Sequence, residues 1–401
     1  MAECSSPPEQ RRGPLAIANL PEEILSEILL LLPPKSILRC RAVCKAWRAV
    51  TSDRAFLLAH HRRQPPRRLF TFVRDIGGNQ DHLDLEILDY CVEAIDFRTH
   101  EFLSIARFTG EDYDCSLEDS PLVIHAACNG LLLMSYNKYL HLCNPTTRQW
   151  LWVFPPALQH DKVVGLYCAL AHGHSSEYRV LYYRTIGGAK PRFYISTVGS
   201  GKERCIWSHS SSASLRAWLA KGSEVTNFNE PFLFHGNLHW LPHFGQHKKI
   251  VMFDTVNEVF QWLQLPFKTR NVMSLLEIEG MLAMSNSHIG SSKVDLWLLV
   301  DYKRVVWAHK YSIELPVIEI RRFEDEGWCS YIVSEEGDVL VDGFDWQLHY
   351  DIKGNLLEKF RCNGRLLNFT AHIHQESLVP DAVFHNVDNE NRHAPHFFRG
   401  M

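Results

Sequence analysis

No catalytic signature stands out in the 401 residues. The chain has no H-E-x-x-H, no G-x-S-x-G and no glycine-rich loop that would cradle a phosphate. The common metalloprotease, hydrolase and nucleotide-binding chemistries are therefore not suggested, and no cofactor is expected. C-x-x-C pairs are missing as well. The eleven cysteines are an odd, scattered set, which fits reduced thiols better than a disulfide framework. Cys40 and Cys44 stand four apart with no companion pair at zinc-ligand spacing, so they read as core packing. Net charge is −4 and no long basic stripe occurs, so nucleic acid is not an expected partner. The aliphatic run Ile28–Leu32 follows the acid Glu27 and is far shorter than the ~20 residues that cross a bilayer. Met1–Gly13 is polar, without the apolar centre of a signal peptide. The expectation is a protein of the cytoplasm or nucleus with no membrane partner.

Two helix-like segments open the chain's organised part. Pro21 suits a first helical turn, and Glu22 and Glu23 sit where the helix dipole favours acids. Pro33 and Pro34 end that helix. At 100° per residue, Leu31, Ile24, Ile28, Leu32, Leu25 and Leu29 fall on one arc of roughly 160°. Leu30 falls among the glutamates, with no obvious place to go. Ile37, Leu38, Val43, Trp47 and Val50 continue at helical spacing. A unit of about 40 residues seldom holds together alone, and its apolar arc is too wide for one short hairpin to cover. The inference is a helical module completed by another protein, against the plainer reading of a cap on the next domain.

These residues resemble an F-box: L-P-E-E-I-L-S-E-I-L-L-L-L-P from Leu20, then K-S-I-L-R-C-R-A-V-C-K-A-W to Trp47, with Phe56 after it. The resemblance implies docking to the Skp-family adaptor of a cullin-RING ubiquitin ligase, and through it to a cullin. Carried over by position, the docking residues are Leu20, Pro21, Ile24, Leu25, Ile28, Leu29, Leu32, Pro33, Ile37, Leu38, Val43, Cys44 and Trp47.

Residues 1–14 read as a disordered tail. The F-box and one further helix, over Ser52–His61, occupy 15–61, and Arg62–Arg68 reads as a charged linker stiffened by Pro65 and Pro66. From Leu69 the texture turns to β. Small residues open strands at Asn129-Gly130, His235-Gly236, Glu279-Gly280 and Glu336-Gly337. Strands also run into polar turns led by Asn144, Asp254, Asp301 and Asp351, with weaker copies at Asp96 and Gly199. Asp and Asn lead such turns because their side chains bond backbone N–H groups two residues on. The leaders at 96, 144, 199, 254, 301 and 351 are spaced by 48, 55, 55, 47 and 50 residues. A repeat near 50 is propeller-like and predicts about six blades over 69–380, with 381–401 as a flexible tail. Two stacked β-sandwiches are the alternative.

The same segments resemble the plant F-box-associated domain: C-N-G-L-L-L to N-P-T-T-R-Q-W (128–150), F-H-G-N-L-H-W-L (234–241), F-D-T-V-N-E-V-F to L-P (253–266), L-W-L-L-V-D-Y to W (296–307) and E-S-L-V-P (376–380). The expected fold is thus α+β multidomain, a small N-terminal three-helix F-box followed by an all-β propeller of about six blades. The function this implies is a non-catalytic, substrate-recognition subunit of a Skp–cullin–F-box ligase whose propeller holds an unidentified target protein. The alternatives are a propeller reader of a small molecule or glycan, or an enzyme on a propeller scaffold with a cluster of His, Tyr, Cys or acids at its central channel.

Trp150, Trp207, Trp262 and Trp307 recur six to eight residues after a turn leader, which points to packing between blades. Trp328 and Trp346 lie outside that register and, with the loops at Trp218 and His243, are candidates for a target-facing surface. His172 with His174, and His372 with His374, each share a strand face but lack a third metal ligand nearby. Glu111, Asp112, Asp114, Glu118 and Asp119 read as a solvated loop.

Overall fold

A computed structural model describes residues 20–75, 87–111, 122–136, 139–154, 161–170, 176–185, 192–206, 230–241, 249–267, 272–322, 328–343, 346–361, 367–380 and 382–384. The chain divides into two compact units. One comprises the helices up to Gln64 together with Glu376–Val379; the other is the β domain from Pro65 to Gln375, with the residues from Pro380 onward.

The β unit is six four-stranded antiparallel sheets. The first blade is β1 (Arg67–Asp75), β2 (Ile87–Asp96) and β3 (Glu101–Glu111), closed by the last strand, β24 (Asn368–His374). The second is β4 (Leu122–Cys128), β5 (Leu131–Tyr136), β6 (Tyr139–Asn144) and β7 (Gln149–Trp152). The third is β8 (Asp161–Leu170), β9 (Ser176–Arg184), β10 (Arg192–Thr197) and β11 (Glu203–Cys205). The fourth is β12 (Phe232–Phe234), β13 (Asn237–Trp240), β14 (Lys249–Asp254) and β15 (Val259–Gln264). The fifth is β16 (Val272–Ile278), β17 (Met281–Ser287), β18 (Lys293–Asp301) and β19 (Val306–Glu314). The sixth is β20 (Cys329–Ile332), β21 (Val339–Asp342), β22 (Trp346–Tyr350) and β23 (Leu356–Arg361). Successive first strands, β24, β4, β8, β12, β16 and β20, lie beside the next blade and form the inner ring.

The predicted turn chemistry joins the third and fourth strands of every blade but the third, where Gly199 takes a positive φ of 79°. Asn144 Oδ1 accepts from Thr146 N at 3.0 Å and Thr147 N at 3.2 Å. Asp254 Oδ1 accepts from Val256 N at 2.9 Å, and Asp351 Oδ1 from Lys353 N at 2.9 Å. Asp96 and Asp301 act the same way on Arg98 N and Arg304 N. The fifth residue of four such turns, His100, Arg148, Glu258 or Val305, then takes a left-handed φ of 55° to 59°. Three of the small-residue openings, Asn129-Gly130, His235-Gly236 and Glu279-Gly280, are two-residue hairpins in which both positions have positive φ, the backbone that matches strand twist; Glu336-Gly337 instead lies in the longer connection between Ile332 and Val339, with only Gly337 at positive φ.

Each seam between blades is one apolar cluster. Leu69, Val92, Leu132 and Met134 fill the seam of blades one and two. Leu276, Val294, Val339 and Leu348 fill that of blades five and six. Phe70, Phe97, Leu340 and Phe360 close the ring between blades six and one. Trp150, Trp262 and Trp307 are half-buried against such seams, and Trp307 Nε1 donates across one to Gln264 O at 2.9 Å. Trp207 lies outside the described residues.

Three boundaries differ from the sequence reading. Helix continues through Arg63 and β1 begins at Arg67, so the linker shrinks to Gln64-Pro65-Pro66. The cause is β24, whose His374 and Ile373 pair with Arg67 and Arg68 and draw both arginines into the sheet. Glu376–Val379 leaves the propeller for the helical unit. Finally, the segment assigned to a flexible tail holds a short helical turn, Ala382–Phe384, with Phe384 buried in the seam of blades two and three.

Gly354 tests the sixth blade's turn. Its φ is +79°, and a Cβ there would stand 2.7 Å from the Glu314 carbonyl oxygen. Both strain and backbone collision oppose a side chain. Gly354→Ala is expected to lower propeller stability by about 1–3 kcal/mol, read from urea midpoints.

Candidate functional site: an apolar face on the helical unit

Four helices make the first unit: α1 (Glu22–Leu29), α2 (Pro34–Cys40), α3 (Lys45–Ser52) and α4 (Arg54–Arg63). Pro33 precedes α2 and Pro34 occupies its first turn, where a missing N–H costs nothing. Cys44 Sγ accepts from Trp47 N at 3.5 Å at the start of α3. Asp53 Oδ1 accepts from Phe56 N at 2.9 Å at the start of α4. His60 is fully buried and its Nε2 bonds Leu32 O at 2.8 Å, capping the chain where α1 ends; burial lowers its pKa, which favours the neutral ring.

The core of this unit is Leu25, Leu29, Leu30, Ile37, Cys40, Val50, Phe56 and Leu57, with Leu378 from the far end of the chain. Leu30 is therefore inside, at 6% exposure, and Leu31 is outside at 78%, the reverse of the wheel. The helix turns Leu25, Leu29 and Leu30 towards the unit's other helices and Ile24, Ile28 and Leu31 away from them. Leu30 keeps the α-helical bond from its N to Ser26 O, so the covered side of the helix, and not a change of winding, decides which leucine is inside.

The docking residues carried over from the F-box separate into two sets. Leu25, Leu29 and Ile37 are buried in the unit's own core and cannot meet a partner without unfolding it. Leu20, Leu32 and Trp47 are half-buried, and Pro21, Pro33 and Cys44 are exposed. Ile24, Ile28, Leu38 and Val43 are exposed at 50%, 45%, 38% and 63%. Leu31, absent from the carried-over set, joins Ile24 and Ile28 at i, i+4 and i+7 on one face of the first helix. Apolar side chains concentrated like this on so small a unit mark an interaction surface.

The candidates on the propeller fare differently. Trp328 is 3% exposed and packs in the seam of blades five and six, so it is core and not a target-facing residue. Trp346 is half-buried against the same cluster. Trp218, His243, His172, His174 and the acids Asp112, Asp114, Glu118 and Asp119 lie outside the described residues, as does the side chain of Glu111. His372 and His374 are buried, and among the described residues no group of three or more His, Cys, Asp or Glu is placed to hold a metal.

Burial pushes the pKa values of His141, His239 and His372 down to about 4. Their neutral forms are favoured in the folded state, so their stabilisation is complete above the unfolded value of about 6.5 and is lost as pH falls towards 4. The propeller's urea midpoint is expected to drop steeply between pH 7 and pH 4.5, each histidine contributing up to about 3 kcal/mol.

A small helical unit with an uncovered apolar face, joined to a six-bladed propeller, is the architecture of the F-box–propeller class. A family model for the F-box associated beta propeller domain matches residues 89–379, and an F-box-like model matches 17–63. The chain belongs to the F-box associated β-propeller family. Its relatives in Arabidopsis thaliana include F-box protein At3g17710, 21% identical over 91% of this chain and 98% of that protein. F-box protein At5g49610 is 23% identical over 90% and 98%, and F-box/LRR-repeat protein At2g43260 is 24% identical over 93% and 85%. Among solved structures, dihydro-heme d1 dehydrogenase NirN aligns with 86% of this chain and 80% of its own at a TM-score of 0.33 and 9% identity, a likeness too slight to bear on function.

Proposed function

We propose that the chain is the substrate-recognition subunit of a Skp–cullin–F-box ubiquitin ligase, working in the cytoplasm or nucleus. The observation that carries this reading is the exposed row Ile24, Ile28 and Leu31 on the unit that matches the F-box-like model. An adaptor groove of complementary shape would cover that row and supply the burial the unit lacks by itself. The propeller would then hold a target protein through its loops. The chain's contribution is proximity, raising the target's effective concentration at the transfer centre, with no covalent intermediate of its own.

Co-expression with a Skp-family adaptor tests the first step. A stable complex that also recruits a cullin is expected; an adaptor that elutes separately from the folded chain rejects the reading. Proximity labelling with the intact chain and with a form lacking residues 20–63 would then identify the target, which should accumulate only around the second.

A further inference from the structure

Arg68 is anomalous. Its residue is 7% exposed, and its Nη1 donates to Thr370 O at 3.2 Å while the guanidinium lies over the Tyr331 ring, 5.4 Å from the centroid. Among the described residues no carboxylate forms an ion pair with it. A buried guanidinium cannot shed its proton, and without an anion it is an unfavourable thing to bury. Elsewhere the propeller pairs its arginines: Arg184 grips Asp161 at 2.6 Å, and Arg179 meets Glu258 at 2.7 Å.

Beside Arg68 stands a second unmet group. His372 on β24 is 3% exposed, and its Nε2 has no hydrogen-bond partner. Its ring bonds the Ile124 carbonyl, which requires an N–H, so that bond falls to Nδ1–H and leaves Nε2 of the neutral ring as a bare acceptor. Among the described residues, one group thus lacks an ion-pair partner and its neighbour lacks a donor.

Glu230 lies between them. It precedes β12 of blade four, opposite blade one in a ring of six, and its carboxylate accepts the Ala371 N–H on β24. It therefore spans the axis. Its Oε2 is 3.9 Å from His372 Nε2, too far for a hydrogen bond. Its side chain keeps 36% exposure against 2% for His372. Burial pushes its pKa up to about 7, which makes it a poor permanent counter-ion for Arg68.

We propose that the axial channel of the propeller binds a small 2-hydroxycarboxylate, its carboxylate taking the place of the Glu230 carboxylate against Arg68 and the Ala371 N–H, and its hydroxyl donating to His372 Nε2. Glu230 is the internal stand-in that the ligand displaces. The site draws on blades one, four and six, so ligand binding would also tie the ring's closing strand to the opposite blade.

Titration calorimetry on the full chain with glycolate, acetate and glycolamide tests this. Glycolate is expected to bind saturably and at least tenfold tighter than acetate, which lacks the hydroxyl, while uncharged glycolamide does not bind. The groups facing Glu230 are Arg68, His372, His125 and Tyr331, with Cys329 and Asp342 behind Tyr331. Burial holds both histidines at about 4 and raises Tyr331, so across pH 6 to 8 it is Glu230 that changes charge beside Arg68. Glycolate should therefore bind several-fold more weakly at pH 8 than at pH 6, and Glu230→Gln should bind it more tightly and without that pH dependence. Arg68→Gln should abolish binding. Should that variant not fold, His372→Phe should still bind glycolate, but no better than acetate. Absence of saturable glycolate binding, equal affinity for acetate in the wild type, or an unchanged pH profile in Glu230→Gln would each overturn the proposal.

Discussion

Ile28→Arg combined with Leu31→Arg is expected to abolish capture of a Skp-family adaptor while leaving the unfolding midpoints of both units unchanged. Neither side chain belongs to the helical core, and both are open to solvent, so the folded unit accepts arginine there. The complex would not. Each aliphatic side chain buried at an interface contributes about 1.5–3 kcal/mol, and placing an unpaired guanidinium in the same contact adds a desolvation cost. Two positions together should remove at least about 4 kcal/mol, roughly a thousandfold in affinity. Affinity within threefold of the wild type in a pull-down titration would rule out this face as the docking surface. Substituting Leu25, Leu29 or Ile37 would answer a different question. They form the unit's interior, and an arginine there would abolish binding by unfolding.

Leu378→Ala is expected to unfold the helical unit and leave the propeller's transition in place. Leu378 is 2% exposed and packs with Leu25, Leu29 and Leu57, more than 300 residues earlier. The His61 ring bonds the Glu376 carbonyl at 2.9 Å and holds the same segment. Truncating a buried leucine costs about 2–5 kcal/mol, and a unit this small has little more than that in total. Helical circular dichroism should fall and adaptor capture should fail at 37 °C. The tryptophan fluorescence transition should persist, because ten of the eleven tryptophans follow Gln64 and Trp47 alone lies before it. An unchanged helical signal would mean that Leu378 fills space without holding the unit together.

The alternation of strand and polar turn was legible because its causes lie within a few residues. Asp96, Asn144, Asp254, Asp301 and Asp351 bond backbone groups two to four residues ahead, and those bonds are present. Spacing near 50 then counted the blades correctly, even where Gly199 replaced the acid with a positive φ of its own. The prolines at 21, 33 and 34 likewise framed α1 and α2.

Other features depended on partners that no local pattern names. A 100° wheel put Leu31 on the apolar arc and Leu30 among the glutamates, because a wheel does not show which side of a wide arc the unit's other helices cover. Trp328 looked free because it broke the register of its fellows, yet blades five and six enclose it. Arg67 and Arg68 read as linker because nothing nearby announced that His374 and Ile373 would pair with them. The ligand hypothesis arises the same way, from Arg68, Glu230 and His372, which stand 162 and 142 positions apart along the chain.

By itself the sequence determined the helix breaks, the turns and the blade count, since each follows from contacts spanning a handful of residues, and its motifs carried the family resemblance. Only the tertiary structure decided which leucines are open to solvent, how β24 closes the ring, that Glu376–Val379 returns to the helical unit, and that a buried arginine forms no ion pair among the described residues. Those outcomes are burial and pairing between distant segments, and they exist only once the chain has brought its two ends together.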